Sequence, residues 1–197
     1  MNRSYHHGDL RRTLIEAAVA RIERDGPSNL SLRGIARTAG VSHAAPAHHF
    51  GDKTGLFTAV AAEGFSLLAA RTTPMLDRPD ALLQTGVVYV RFAVEHRGYF
   101  EVMFRPDLHR AQDPELVAAR QKSFDVLYRA ARTGAGIADD QDVTGLAVAA
   151  WSVVHGFATL YLADNFRDQL PDDLDLATVV VAEGVASLGR TIAAQIS

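Results

Sequence analysis

Cysteine is absent from this chain of 197 residues, and with it go disulfide frameworks, zinc-thiolate and iron–sulfur sites, and thiol nucleophiles. No run approaches 18 uninterrupted apolar residues, the length that a membrane-spanning helix needs. The first dozen residues are polar and basic without an apolar core, so no secretory signal is expected. These absences point to a cytoplasmic protein without membrane partners. Also missing are a phosphate-cradling glycine loop, a nucleophile elbow, a metal-ligand motif and paired-carboxylate spacing, which leaves the enzyme classes that need them without a foothold. Strand alternation is lacking too. Val179, Val180 and Val181 are β-prone, but Val181, Val185, Leu188, Ile192 and Ile196 continue at helical spacing, and the expected fold is all-α.

The formal net charge of -3 conceals an uneven distribution. Residues 1–60 hold eight Lys or Arg against five Asp or Glu, whereas residues 61–197 hold twelve against eighteen. Five of the eight histidines, His6, His7, His43, His48 and His49, also fall in the first quarter, where each can become cationic beside a phosphate. The N-terminal quarter is the anion-binding candidate.

Helical spacing of Leu10, Leu14, Ala17, Ala18 and Ile22 predicts a first helix over 8–25, stopped by Asp25-Gly26-Pro27. Ser31 is a plausible N-cap for a second, with Leu32, Ile35, Ala36 and Ala39 on one side and Gly40 at its end. Ser42 is expected to cap a short third helix reaching Phe50, and Gly51-Asp52 to break and recap the chain before a fourth. A joint with Pro74 and Pro79 spans 72–80. Further helices are expected at 80–96, 98–104, 113–132, 140–166 and 174–195, about nine in all. The expected domains are 1–71 and 72–197.

Two short helices joined at Gly40 make a unit in which the second can enter the major groove of DNA. Ile35, Ala36, Ala39, Val41 and Phe50 supply a small core that leaves Ser42, His43, Ala44, Ala47 and His48 outward. Small side chains let a helix approach base edges, and Ser or His can donate to bases or phosphates. A metal site from His43, His48, His49 and Asp52 is disfavoured, because His48 and His49 are adjacent rather than one turn apart.

The segment LSLRGIARTAGVSHAAPAHHFGDKTGLFTAV, residues 30–60, resembles the signature of tetracycline-repressor-type (TetR) regulators: a helix, a Gly-Val-Ser turn, a recognition helix ending in His-Phe, then Lys. YHHGDLRRTLIEAA, residues 5–18, and WSVVHGFATLYL, residues 151–162, further resemble a subgroup marked by a Trp-His-Gly element. The resemblance implies a three-helix DNA-binding head, a larger effector-binding and dimerisation domain, and a dimer formed by the last two helices. It carries DNA contacts onto Ser31, Arg33, Ser42, His43, Ala44, Ala45, Ala47, His48, His49 and Lys53. Where the family has a phosphate-binding Tyr, this chain has Ala47, so anchoring shifts to His48, His49 and Lys53, or to Arg11 or Arg12.

Large apolar and aromatic residues crowd 80–166. Most belong to a core, but Tyr89, Phe92, Phe104, Tyr128, Trp151 and His155 are the effector-binding candidates. His155, one turn after Trp151, is read equally as a ligand contact or as a satisfied core histidine. The helix expected at 140–166 has apolar residues on two sides, one more than a single neighbour covers, which fits an isologous dimer. The expectation is a repressor that binds a palindromic operator as a homodimer and is released by a small molecule, with no cofactor and no catalytic activity. The rivals are an enzyme using His155 with Asp164 or Glu183, and a nonspecific architectural DNA-binding protein that senses nothing.

Overall fold

Apolar residues at three- and four-residue spacing, interrupted by Gly and Pro, fold here into helices alone. The structure, a computed structural model, describes residues 7–136, 138, 141–166 and 169–184, and no strand occurs among them. The helices are α1 (His7–Asp25), α2 (Leu32–Thr38), α3 (Ala45–Phe50), α4 (Lys53–Thr72), α5 (Ala81–Glu95), α6 (Arg97–Met103), α7 (Pro114–Ala135) and α8 (Thr144–Leu162). A ninth, α9, covers 174–184 as far as the description runs. The apolar stripe expected beyond it, from Val185 to Ile196, lies outside the described residues, as does His6. Short 3₁₀ turns occupy Pro27–Asn29 and Thr73–Asp77.

Local chemistry sets most boundaries. Ser31 caps α2 by accepting from the Gly34 amide at 3.2 Å. Gly40 ends it at φ 66: the Gly40 amide donates to Arg37 O and the Val41 amide to Ala36 O, the paired bonds of a Schellman motif that needs a left-handed residue. Asp52 Oδ1 accepts from the Gly55 amide at 2.8 Å and starts α4.

Two expectations are corrected. Ser42 does not cap α3. Its carbonyl accepts from the Ala45 amide at 3.0 Å in a turn, and the cap position falls to Ala44, which offers no side-chain bond. The helix expected at 140–166 is Thr144–Leu162. Asp142 Oδ1 accepts from the Thr144 amide at its start. At its end Asp164 turns left-handed, φ 61, with its amide on Tyr161 O and the Asn165 amide on Leu160 O.

The chain divides into two compact units that are not contiguous in sequence. Unit 1 comprises 1–67 with 96–122, and unit 2 comprises 68–95 with 123–197; α4 and α7 each contribute to both. Residues 96–122, although they follow the joint at 72–80 in sequence, pack with the N-terminal helices. The cause is α6, whose Gly98 amide donates to Glu23 Oε1 at 3.2 Å and whose Val102 and Met103 are buried. Leu14, Ile15 and Ile22 of α1, Ile35 of α2, and Leu56 and Val60 of α4 complete this core.

In unit 2, α5 packs along α8. Phe92, Val90, Ala130, Ala147 and Ala158 are fully buried there. Arg91 pairs with Asp175 in the first turn of α9. α8 has no charged residue, and it alone among the described helices is long and apolar enough to cross a membrane by length and composition. Only its Ala147, Phe157 and Ala158 are buried.

A Cβ on Gly98 would lie 2.7 Å from the Val19 carbonyl oxygen and 2.8 Å from Glu23 Cγ. Backbone cannot retreat cheaply, so Gly98→Ala should destabilise the protein by about 1–3 kcal/mol. The urea unfolding midpoint checks this, and an unchanged midpoint contradicts so close an α1–α6 approach.

Candidate functional site

In unit 1, α2 and α3 are short helices whose packing fixes what α3 presents. Ile35 and Ala36 are fully buried, and Phe50 is nearly so. Pro46, early in α3, is also buried, a contribution to the small core that spacing alone did not assign; Ala39 and Val41 are half-buried. With Pro46 and Phe50 inward, Ser42, His43, Ala44, Ala47 and His48 are exposed, as are Ser31 and Arg33 on α2, while Ala45 and His49 are half-buried. The His49 ring packs edge-on against His48 at 5.7 Å and lies tilted against Phe50 at 6.1 Å.

Two cations flank this unit. Lys53 is half-buried: its Nζ donates to Ser28 O at 3.0 Å and lies 5.4 Å from the Phe57 ring centre. The Arg11 guanidinium sits 5.8 Å from the Phe50 ring centre and pairs with Glu115 at 3.0 Å. Arg11 thus touches the last residue of α3 from α1.

Unit 2 brings Tyr89, Trp151 and His155 together. The indole Nε1–H of Trp151 donates to Tyr89 Oη at 3.3 Å. An indole can only donate, so the Tyr89 oxygen accepts from Trp151, and it is hydrogen-bonded to His155 Nδ1 at 2.7 Å in the direction that the imidazole tautomer sets. Burial favours the neutral imidazole, holding the His155 pKa below its ordinary value, and it raises that of the Tyr89 hydroxyl. Phe124 packs edge-on against Trp151 at 5.4 Å. Thr85, one turn before Tyr89 on α5, is 7% exposed, and its Oγ1 has no hydrogen-bond partner among the described residues.

Of the six aromatic candidates, Tyr89, Trp151 and His155 form this relay and Tyr128 lies half-buried on α7 in the same unit. Phe92 is wholly buried. Phe104 belongs to unit 1, edge-on to Phe65 and Phe100 at 5.4 Å each. Sequence reading missed Thr85, a threonine on an otherwise apolar stripe, and also Phe124, visible only as one aromatic among many. It missed His109 as well, which is 7% exposed and close enough to the Met103 carbonyl to feel its pull.

A short helix, a glycine turn and a second helix with an exposed, small-residue face constitute a helix-turn-helix head joined to a larger helical unit, the architecture of DNA-binding regulators. Family comparison agrees. Residues 14–60 match the model for bacterial regulatory proteins of the tetR family, and residues 82–183, over half the chain, match the tetracyclin repressor-like C-terminal domain. The chain belongs to the TetR family of DNA-binding transcriptional regulators. It is 33% identical over 116 residues to the HTH-type transcriptional regulator BetI of Pseudomonas fluorescens, a match spanning 52% of this chain and 59% of that protein. A solved structure of a protein of unknown function from Rhodococcus sp. RHA1 is similar at 33% identity and TM-score 0.75, covering 93% of this chain and 96% of that one. The TetR family regulator PfmR of Thermus thermophilus shares the fold at 23% identity and TM-score 0.61, over 85% and 92%.

His109 is also held neutral, chiefly by burial and secondarily by Arg120, against the opposing pull of the Met103 carbonyl and Asp107. An unfolded histidine takes up a proton near pH 6.5. As pH falls through that value, the unfolded chain binds protons that folded His109 and His155 resist, so both groups lose stability on the acid side and none above it. The melting temperature should therefore drop between pH 7.5 and 5.5, and drop less in His109→Phe. A flat profile contradicts the neutral assignment.

Proposed function

We propose that the chain is a homodimeric repressor that reads a palindromic operator through α3 and is released by a small molecule bound in unit 2, without enzymatic activity and in the cytoplasm. The observation that carries the DNA half is the outward face of α3 and its preceding turn: Ser42, His43, Ala44 and Ala47 stand exposed over buried Pro46 and Phe50. Ala44, Ala45 and Ala47 allow close approach and contact thymine methyls. His43, with Ser42, reaches base edges, and His48 and His49 reach bases or the adjoining phosphates. Ser31, Arg33 and Lys53, at or beside helix starts, hold the phosphate backbone. Lys53 exchanges the Ser28 carbonyl for a phosphate oxygen when it does so.

The effector half rests on the Tyr89–Trp151–His155 relay. Trp151, His155 and Gly156 are the Trp-His-Gly element of the resembling subgroup, and the relay gives that element a physical role. A neutral, largely apolar effector would meet Trp151, Tyr128 and the edge of Tyr89, and offer a polar group to His155 or Thr85. Phe92 belongs to the buried core of the same unit. Release is a population shift, in which the effector favours a state that binds DNA less well.

Dimerisation rests on α8 and α9. Leu146, Val148, Leu160, Leu176 and Val180 are large, apolar and exposed in the single chain. On α8, Gly145, Ala149 and Ser152 lie among them and let a second helix approach closely.

Selection from random-sequence DNA with the purified protein should yield an inverted repeat whose half-site centres are about one helical turn, ~34 Å, or a multiple apart. On that operator, Lys53→Ala should reduce the magnitude of the salt slope by about one, because one phosphate contact and its counterion are lost. Enriched sequence without two-fold symmetry contradicts the dimeric operator. An unchanged slope removes Lys53 from the backbone contacts.

A further inference from the structure

The stretch from Arg110 to Glu115, which runs from the α6–α7 connection into the first turn of α7, makes three separate attachments around the end of α3 and the start of α4, all inside unit 1 and all 50 or more residues away in sequence. Arg110 Nη2 donates to Asp52 Oδ2 at 2.8 Å, two residues beyond Phe50. The same carboxylate, through Oδ1, caps α4 at the Gly55 amide. The Arg110 backbone amide donates at 3.0 Å to Thr58 Oγ1, a hydroxyl only 4% exposed that in turn donates to Thr54 O at 2.8 Å. Glu115, in the first turn of α7, holds Arg11 at 3.0 Å, and Arg11 lies on the Phe50 ring.

These contacts grip both sides of the α3 terminus: Asp52 after it and Arg11 over it. The grip is anchored by buried His109 next door and by Asp113, whose Oδ1 accepts from the amides of Glu115 and Leu116. The fit is close, since a Cβ on Gly55 would lie 2.8 Å from Arg110 Nη1. Exposed ion pairs contribute little to global stability, and both partners of the Arg110–Asp52 pair are about half exposed or more. Such a pair has little to offer as a fold-holding bond. What it fixes is the place where α3 ends and α4 begins.

We infer that residues 109–115 form a clasp on the reading helix, with Arg110 as a positioning residue for operator binding that does not itself touch DNA. The inference rests on the DNA-reading role proposed for α3 and extends it to a part of the chain outside the helix-turn-helix. Arg110 acts through Asp52, and Glu115 through Arg11. A segment that is contiguous with α7, the helix that also carries Phe124 and Tyr128, thereby sets the geometry of the head.

The test uses the full-length protein and the operator it selects from random DNA. Arg110→Ala should weaken operator binding by roughly 2- to 30-fold, leave the salt slope unchanged, and leave random-DNA binding nearly unchanged. Arg110→Lys, which keeps a donor to Asp52, should recover part of the loss and guards against a misfolded variant. Arg110→Ala and Glu115→Gln should each speed amide hydrogen exchange over residues 45–52. Unchanged operator affinity and exchange in Arg110→Ala overturn the clasp. So does a salt slope reduced by about one with equal losses on operator and random DNA, since that marks Arg110 as a phosphate ligand. If the unaltered protein selects no sequence, the reading role of α3 fails and the clasp falls with it.

Discussion

A helix of six residues cannot hold itself together. Nucleating a first helical turn is unfavourable, and isolated helices shorter than about 12–15 residues are marginal in water, so α3 exists only because its surroundings impose it. Pro46 presets a backbone angle inside its first turn, and Pro46 with Phe50 buries one side. Gly40 turns the chain into it, and Gly51, at φ 77, turns the chain out. The proposed DNA contacts, the operator spacing and the clasp at Arg110 all inherit their geometry from this dependence. An element so short is also easily displaced, which suits the proposed switching of DNA affinity.

A different economy governs α8. One side carries Trp151 and His155 into the relay with Tyr89, while another leaves Val148 and Leu160 in solvent. Charged residues are absent, and burial within the chain is slight. In the proposed dimer a second copy covers it, and the same helix then adjoins both the proposed ligand and the proposed partner. Any shift of α8 on ligand binding would be felt at the dimer seam. That shared element is the simplest physical route by which the proposed ligand in unit 2 would change the spacing of the proposed dimer's two heads.

Local chemistry was legible in the sequence, and long-range pairing was not. Asp25-Gly26-Pro27, Ser31, Gly40 and Asp52 announce helix ends through backbone requirements that a few neighbouring residues satisfy, and the structure uses all of them. Ser42 misled because a serine beside a helix start competes with a turn, and the turn won. α6 and the start of α7 read as part of the C-terminal half because nothing in their own sequence says what Gly98 packs against. Arg110 and Asp52, 58 residues apart, and Arg11 and Glu115, 104 apart, look like ordinary surface charges until the fold joins them. His155 and Trp151 were visible as an i, i+4 pair. That Tyr89 links them, with Thr85 one turn away, depends on the α5–α8 packing, which spacing does not encode.

The central claim is that the small-residue face of α3 reads bases, and Ala47 is its most direct probe. Ala47 is exposed and lies outside the buried side of the helix, so Ala47→Glu should leave the melting temperature within a degree or two while placing a bulky anion where the groove must come. The measurement is the ratio of operator to random-DNA affinity at fixed salt. The account predicts that this ratio collapses towards one with the fold intact; a variant that still prefers the operator as strongly as the unaltered protein contradicts it.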